Sequence, residues 1–131
     1  MGHPEPNPER TTVYVFADFL HFTHWVVYPQ DRSLHPGKYP SHGELLPHRV
    51  RGLLEDWQLS FEKFASADFD GQPGTMLWIA FDVEALRICR MLKRHIGDRA
   101  RVIYQKPIQD PFCRFEYTRE VLEDGSTRVL D

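Results

Sequence analysis

At 131 residues, 41% hydrophobic and 13% aromatic, the chain has the size and apolar content of one domain, and can bury roughly two-thirds of its unfolded surface around a single core. A net charge of −3 argues against an extended nucleic-acid surface, which needs clustered, uncompensated Lys and Arg. The longest apolar run, around Phe16 to Tyr28, is broken by Asp18, His21 and His24 and falls short of the roughly 20 residues of a membrane helix.

Residues 1–10 carry three prolines and no apolar stretch, so they read as a flexible tail ahead of a single α/β domain over 11–131. Thr12 to Asp18 is a β-branched and aromatic run typical of a strand. Phe19 to Tyr28 is equally strand-like. One straight strand over both would reach about 55 Å, too long for a domain with a radius of gyration near 14 Å, so a bend is expected beside Asp18, His21 and His24. Pro29, Pro36, Gly37, Pro40, Gly43 and Pro47 make the following stretch a long loop.

From Pro47 the period changes: Val50, Leu53, Leu54, Trp57, Phe61 and Phe64 recur at three- and four-residue steps and define a helix with one apolar face. Asp68-Phe-Asp70-Gly71 resembles part of a calcium loop but lacks the later acidic ligand, and reads as a turn. Thr75 to Phe81 is continuously apolar and reads as a buried central strand. Asp82 then serves as N-cap of a second helix, Val83 to Ile96, with Ala85, Leu86, Cys89, Leu92 and Ile96 on its apolar face. Lys93, Arg94 and His95 suit its last turn, and Gly97 its stop. Arg101 to Gln105 follows as a strand parallel to Thr75–Phe81 through a right-handed crossover. Two strand-like runs around Glu123-Asp124-Gly125-Ser126 close the chain as a hairpin with a type I′ Asp-Gly turn. The expected fold is thus a mixed, mostly parallel sheet in β-α-β-α-β order with two main helices and a C-terminal β-hairpin.

Five of the seven histidines, His21, His24, His35, His42 and His48, cluster in one region beside Asp18. Imidazole titrates near neutrality and is the commonest metal ligand. If Asp18 and Asp82 both end parallel strands, they stand at the sheet edge where α/β folds place ligands. With His21 and His24 they then form a candidate site for Zn, Mn or Mg, with His42 or His48 in reserve, and the protein is a metal-dependent hydrolase of phosphoesterase type. The His21-x-x-His24 spacing favours one face of a helix and works against a shared site on a strand.

The other reading is a small binding module without a cofactor, of toxin-neutralising or regulatory type. Its partner-binding residues would be Trp25, Tyr28, His35, Tyr39 and His42, because Trp and Tyr bury large area for few rotamers. Arg87, Arg90 and Arg94 form a helical stripe that suits an acidic partner or a solvated face. Cys89 reads as a small buried hydrophobe, and Cys113 has no adjacent base. With no CxxC pair, both thiols fit a reducing cytoplasm. Phosphate-loop, G-x-S-x-G and H-E-x-x-H signatures are absent. Weight therefore falls on the binding module, with a protein partner expected, membrane and nucleic acid not expected, and self-association left open.

Overall fold

The computed structural model describes residues 11–17, 25–28, 46–69, 77–107 and 110–130, with backbone only for 25–28, 64–69 and 113–114. Strand β1 (Thr12–Val15) is followed by β2 (Trp25–Tyr28), helices α1 (His48–Phe69) and α2 (Trp78–Ile96), and then β3 (Arg101–Gln105), β4 (Thr118–Val121) and β5 (Thr127–Val129). The sheet runs β2-β1-β3-β4-β5. Only the β1–β3 pair is parallel, with Val13 opposite Val102 and Val15 opposite Tyr104; the other neighbours are antiparallel. The molecule is a mixed α/β chain with two helices on a mixed sheet. Among the described residues no helix is long and apolar enough to cross a membrane.

The element order corrects two expectations. The stretch read as a central strand supplies Trp78 to Phe81 as the first turn of α2, while 75 and 76 lie outside the described residues. Four contiguous apolar residues fit either period, but Trp78, Phe81, Ala85, Ile88, Cys89, Leu92 and Ile96 are all buried, an unbroken series of three- and four-residue steps. Leu77 and Ile79 are exposed, as neighbours in a fully buried strand would not be. The parallel partner of β3 is consequently β1. Asp82 is therefore not an N-cap: it sits inside α2, buried, and the helix starts at Leu77 without a side-chain cap bond.

Period two decides which strand residues meet the helices. Val13, Val15, Val102, Tyr104 and Val121 join Val50, Leu54, Trp57 and Phe61 of α1 and the inner stripe of α2 in one core. The α1–α2 seam is aromatic, with Trp57 stacked on Phe81 at 4.6 Å and Phe61 edge-on to Trp78 at 6.5 Å. Lys93 is buried against the chain after α2 and donates to the Ala100 carbonyl at 2.7 Å. The alternate positions of β3 and β4 carry a charged pair on the other face: Arg101 Nε and Nη2 donate to Glu120 at 2.9 and 2.8 Å, and Arg128 reaches the same carboxylate at 2.7 Å from β5.

Strands β4 and β5 join through Leu122–Ser126, where the Gly125 N–H donates to the Leu122 carbonyl at 3.0 Å. Asp124 Oδ1 accepts from the Ser126 N–H and hydroxyl. A type I′ turn needs positive φ at both central residues, but only Gly125, at φ 88°, is positive here. A side chain at that φ is strained even though a Cβ would meet nothing within 4 Å. Gly125→Ala is expected to lower stability by about 1–2 kcal/mol, read from the urea midpoint.

Candidate functional site

The described residues concentrate their unusual chemistry where α2 passes the end of β3. The inward stripe of α2 brings Asp82 to the sheet beside Phe81 and Ala85. Strand alternation turns Tyr104 toward the helices with Val102, and Lys106 follows one residue beyond β3. Asp110 comes from the β3–β4 connection, where its Oδ1 accepts from the Phe112 N–H at 2.8 Å and caps the short 3-10 helix Pro111–Arg114. Pro111 suits this first-turn position because its missing N–H is not needed there.

In this cluster the Tyr104 hydroxyl donates to Asp82 Oδ1 at 2.6 Å. Lys106 Nζ lies 3.8 Å from Asp82 Oδ2, an ion-pair separation outside hydrogen-bond range, and 5.8 Å from the Phe112 ring centroid. Burial, reinforced by the hydrogen bond and charge of Asp110, pushes the Asp82 carboxyl up to about 7, against the opposing pull of Tyr104 and Lys106. Burial also raises Tyr104 well above its ordinary range, with Asp82 adding to the effect. The site therefore gathers a buried phenol, a lysine and a carboxyl whose ionisation is raised toward neutrality.

Of the residues expected to make a metal site, the structure places Asp82, in the second turn of α2. Asp18, His21 and His24 lie outside the described residues, as do His35, Tyr39 and His42 from the expected binding loop. Trp25 and Tyr28 are backbone partners of Val15 and Thr12 in the β2–β1 ladder, hence strand residues. His48 opens α1 and is exposed. Among the described residues no three His, Cys, Asp or Glu side chains are grouped to hold a metal. Sequence reading missed Tyr104, Lys106 and Asp110 as a group. The local signal was the Asp110-Pro111 pair, which marks a capped turn; its meeting with Asp82 is tertiary.

A second feature is the outward side of α2, where Ile79, Val83, Arg87, Arg90 and Arg94 follow one another at steps of three and four. Ile79 is 68% and Val83 60% exposed. Arg87 pairs with Glu84 at 2.5 Å. Arg90 Nε donates to the Gly125 carbonyl at 2.8 Å and ties the β4–β5 turn to the helix. Arg94 is exposed and, with Arg49, Arg87 and Met91, borders an open groove of about 570 Å³. The stripe is thus apolar at its start and cationic toward its end. Leu77, Phe112 and Phe115 add further exposed apolar area. Cys89, by contrast, is fully buried, and burial pushes its thiol up to about 12; it is an inert core residue.

No family model matches the chain, and neither a curated protein nor a solved structure matches it.

Proposed function

We propose that this protein is a small binding module that engages a protein partner, with the outward side of α2 as the contact surface. The exposure of Ile79 and Val83 one turn apart, continued by Arg87 and Arg94, supports this reading. Single exposed apolar residues are ordinary, but two on one helical line leave a ridge whose burial is worth roughly 25 cal/mol per Å² to a complementary surface. The cations beyond it set the orientation of that surface and favour a partner carrying carboxylates. A net charge of −3 gives little attraction for a phosphate backbone, which favours a protein over a nucleic acid. The expected residues Trp25, Tyr28, His35, Tyr39 and His42 stay within this proposal as a second part of the surface.

The test is affinity capture with the intact chain, followed by a direct affinity measurement on the partner identified. Ile79→Glu/Val83→Glu is expected to fold normally, because both positions are exposed, and to weaken binding by roughly tenfold or more, the scale of a lost hot spot. An unchanged affinity in the double variant refutes the surface. Sedimentation of the wild-type chain over a range of concentrations distinguishes a second copy from a different partner.

A further inference from the structure

Granting α2 as the protein-contact surface proposed above, we infer that the groove between the start of α1 and the later turns of α2 seats the acidic half of a short extended segment of the partner, whose apolar half lies along Ile79 and Val83. Arg49, Arg87, Met91 and Arg94 line this groove, and its volume of about 570 Å³ lies within the roughly 300–1,000 Å³ of ligand sites. Its open form suits a chain lying across it better than an enclosed small molecule. Two of the three guanidiniums have charge to spare. Arg87 is committed, with Nε and Nη2 on the two carboxylate oxygens of Glu84 and Nη1 3.5 Å from the Met91 sulfur. Arg49 and Arg94 are exposed, and among the described residues no carboxylate pairs with either.

Arg94 stands in the last turn of α2, where a cation favours the helix dipole, so helix stability alone explains it. Arg49 has no such reason. It stands in the first turn of α1, which contains no acidic residue, and a cation there opposes the positive end of the dipole. An anion held between the two arginines offsets that cost. The far side of Arg94 sharpens the direction of approach. A second groove there, of about 210 Å³, is lined by Arg90 and Arg94 together with Glu123 and Asp124, and Arg90 Nε is spent on the Gly125 carbonyl. Carboxylates of this chain already face those cations, so an incoming anion is drawn instead to the side of Arg49.

The chemistry of the occupant follows from what continues the groove. Ile79, Val83, Arg87, Met91 and Arg94 succeed one another at steps of three and four, so exposed apolar side chains run into cations that flank a thioether. From Ile79 to Arg94 the axis advances about 22 Å at 1.5 Å per residue, the span of about seven residues of extended chain. A segment apolar at one end and acidic at the other matches both halves at once. Its carboxylates take up on Arg49 and Arg94 the two-oxygen geometry that Glu84 already adopts on Arg87. A nucleic acid would leave Ile79 and Val83 uncovered.

Fluorescence anisotropy with labelled peptides of about seven residues, leucines at one end and glutamates at the other in both orders, is the test, beside the same peptides with glutamine for glutamate. The wild-type chain is expected to bind a glutamate peptide about tenfold more tightly than its glutamine counterpart at low ionic strength, and to lose most of that preference in high salt, which screens exposed charges. Arg49→Gln/Arg94→Gln is expected to keep the wild-type urea midpoint, because both side chains are exposed, and to bind the two peptides equally. By NMR, the Nε–Hε signals of Arg49 and Arg94 are expected to move on addition of the glutamate peptide more than that of Arg90. Failure of the wild-type chain to bind either glutamate peptide, equal affinity for glutamate and glutamine, or a glutamate preference that survives in the double variant overturns the inference. So does displacement of the glutamate peptide by inorganic phosphate or single-stranded RNA at a lower concentration than unlabelled peptide requires, because the groove then reads phosphate. Ile79→Glu/Val83→Glu tests the other half separately: if it leaves the affinity for both peptides unchanged, the ridge reading fails while the carboxylate preference of the groove stands.

Discussion

Glu120→Gln is expected to destabilise the fold by about 3–5 kcal/mol, the cost of leaving a buried ion without its partner. Arg101 is 2% exposed and directs Nε and Nη2 at the two oxygens of Glu120. Its Nη1 has no other acceptor among the described residues, so a neutral amide at position 120 removes the charge that justifies burying the guanidinium. Burial alone would raise the Glu120 carboxyl, but the hydrogen bonds from Arg101 and Arg128 outweigh it and hold the group below its usual range. That contribution is present above the ordinary glutamate range and is lost as pH falls through the depressed value. It therefore acts on the acid limb of the stability profile, and Asp82 on the limb toward neutrality. Arg128, 42% exposed at its side chain, makes a useful contrast: Arg128→Ala is expected to cost less than about 1 kcal/mol. Equal losses for the two substitutions in chemical denaturation would show that Arg101 finds another anion.

This pair also shows where sequence reading stops. Arg101 was legible as the first residue of a strand, but charged residues in strands ordinarily face water, and only the register placing Ile103 opposite Glu120 and Glu120 opposite Arg128 reveals the match. Helix α1 was legible because Val50, Leu54, Trp57 and Phe61 keep phase through three turns and are all buried. The span of β3 was legible too, since Val102-Ile-Tyr104 is β-branched and aromatic between a glycine-ended helix and a proline. The opening β-run resolves into the antiparallel strands β1 and β2, consistent with the length argument against one straight strand.

The start of α2 was misread because Trp78-Ile-Ala-Phe81 satisfies both periods over so short a window. Extending the window to Ala85 and Ile88 resolves it. Read as a strand, that stretch places Asp82 at a strand end beside Asp18, whereas in α2 Asp82 is a buried helix residue bonded to Tyr104. The Tyr104–Asp82 bond itself joins residues 22 positions apart on different elements; no local pattern records such a meeting.

Among core positions, Trp57→Ala is expected to be the most damaging change in α1, at about 3–5 kcal/mol. Trp57 joins three elements: it stacks on Phe81 of α2 at 4.6 Å and 17°, meets Tyr104 of β3 edge-on at 5.8 Å, and donates Nε1 to the Phe81 carbonyl at 3.2 Å. Truncation removes both ring contacts and opens a cavity at the seam where the helices meet the sheet. Trp57→Phe keeps an aromatic ring but loses volume and the N–H donor, so its cost is expected to be clearly smaller, about 1–2 kcal/mol. The order Ala worse than Phe, measured by urea unfolding, is the first check. The second is electrostatic. The Trp57 edge helps to hold the Tyr104 ring whose hydroxyl meets Asp82, so Trp57→Ala is expected to admit water to that bond and bring the Asp82 titration down from about 7, with a flatter stability profile toward neutral pH. A variant that loses stability but keeps the wild-type pH slope would show that Tyr104 is held by β3 alone, and that the aromatic seam and the Tyr104–Asp82 bond are independent parts of the fold.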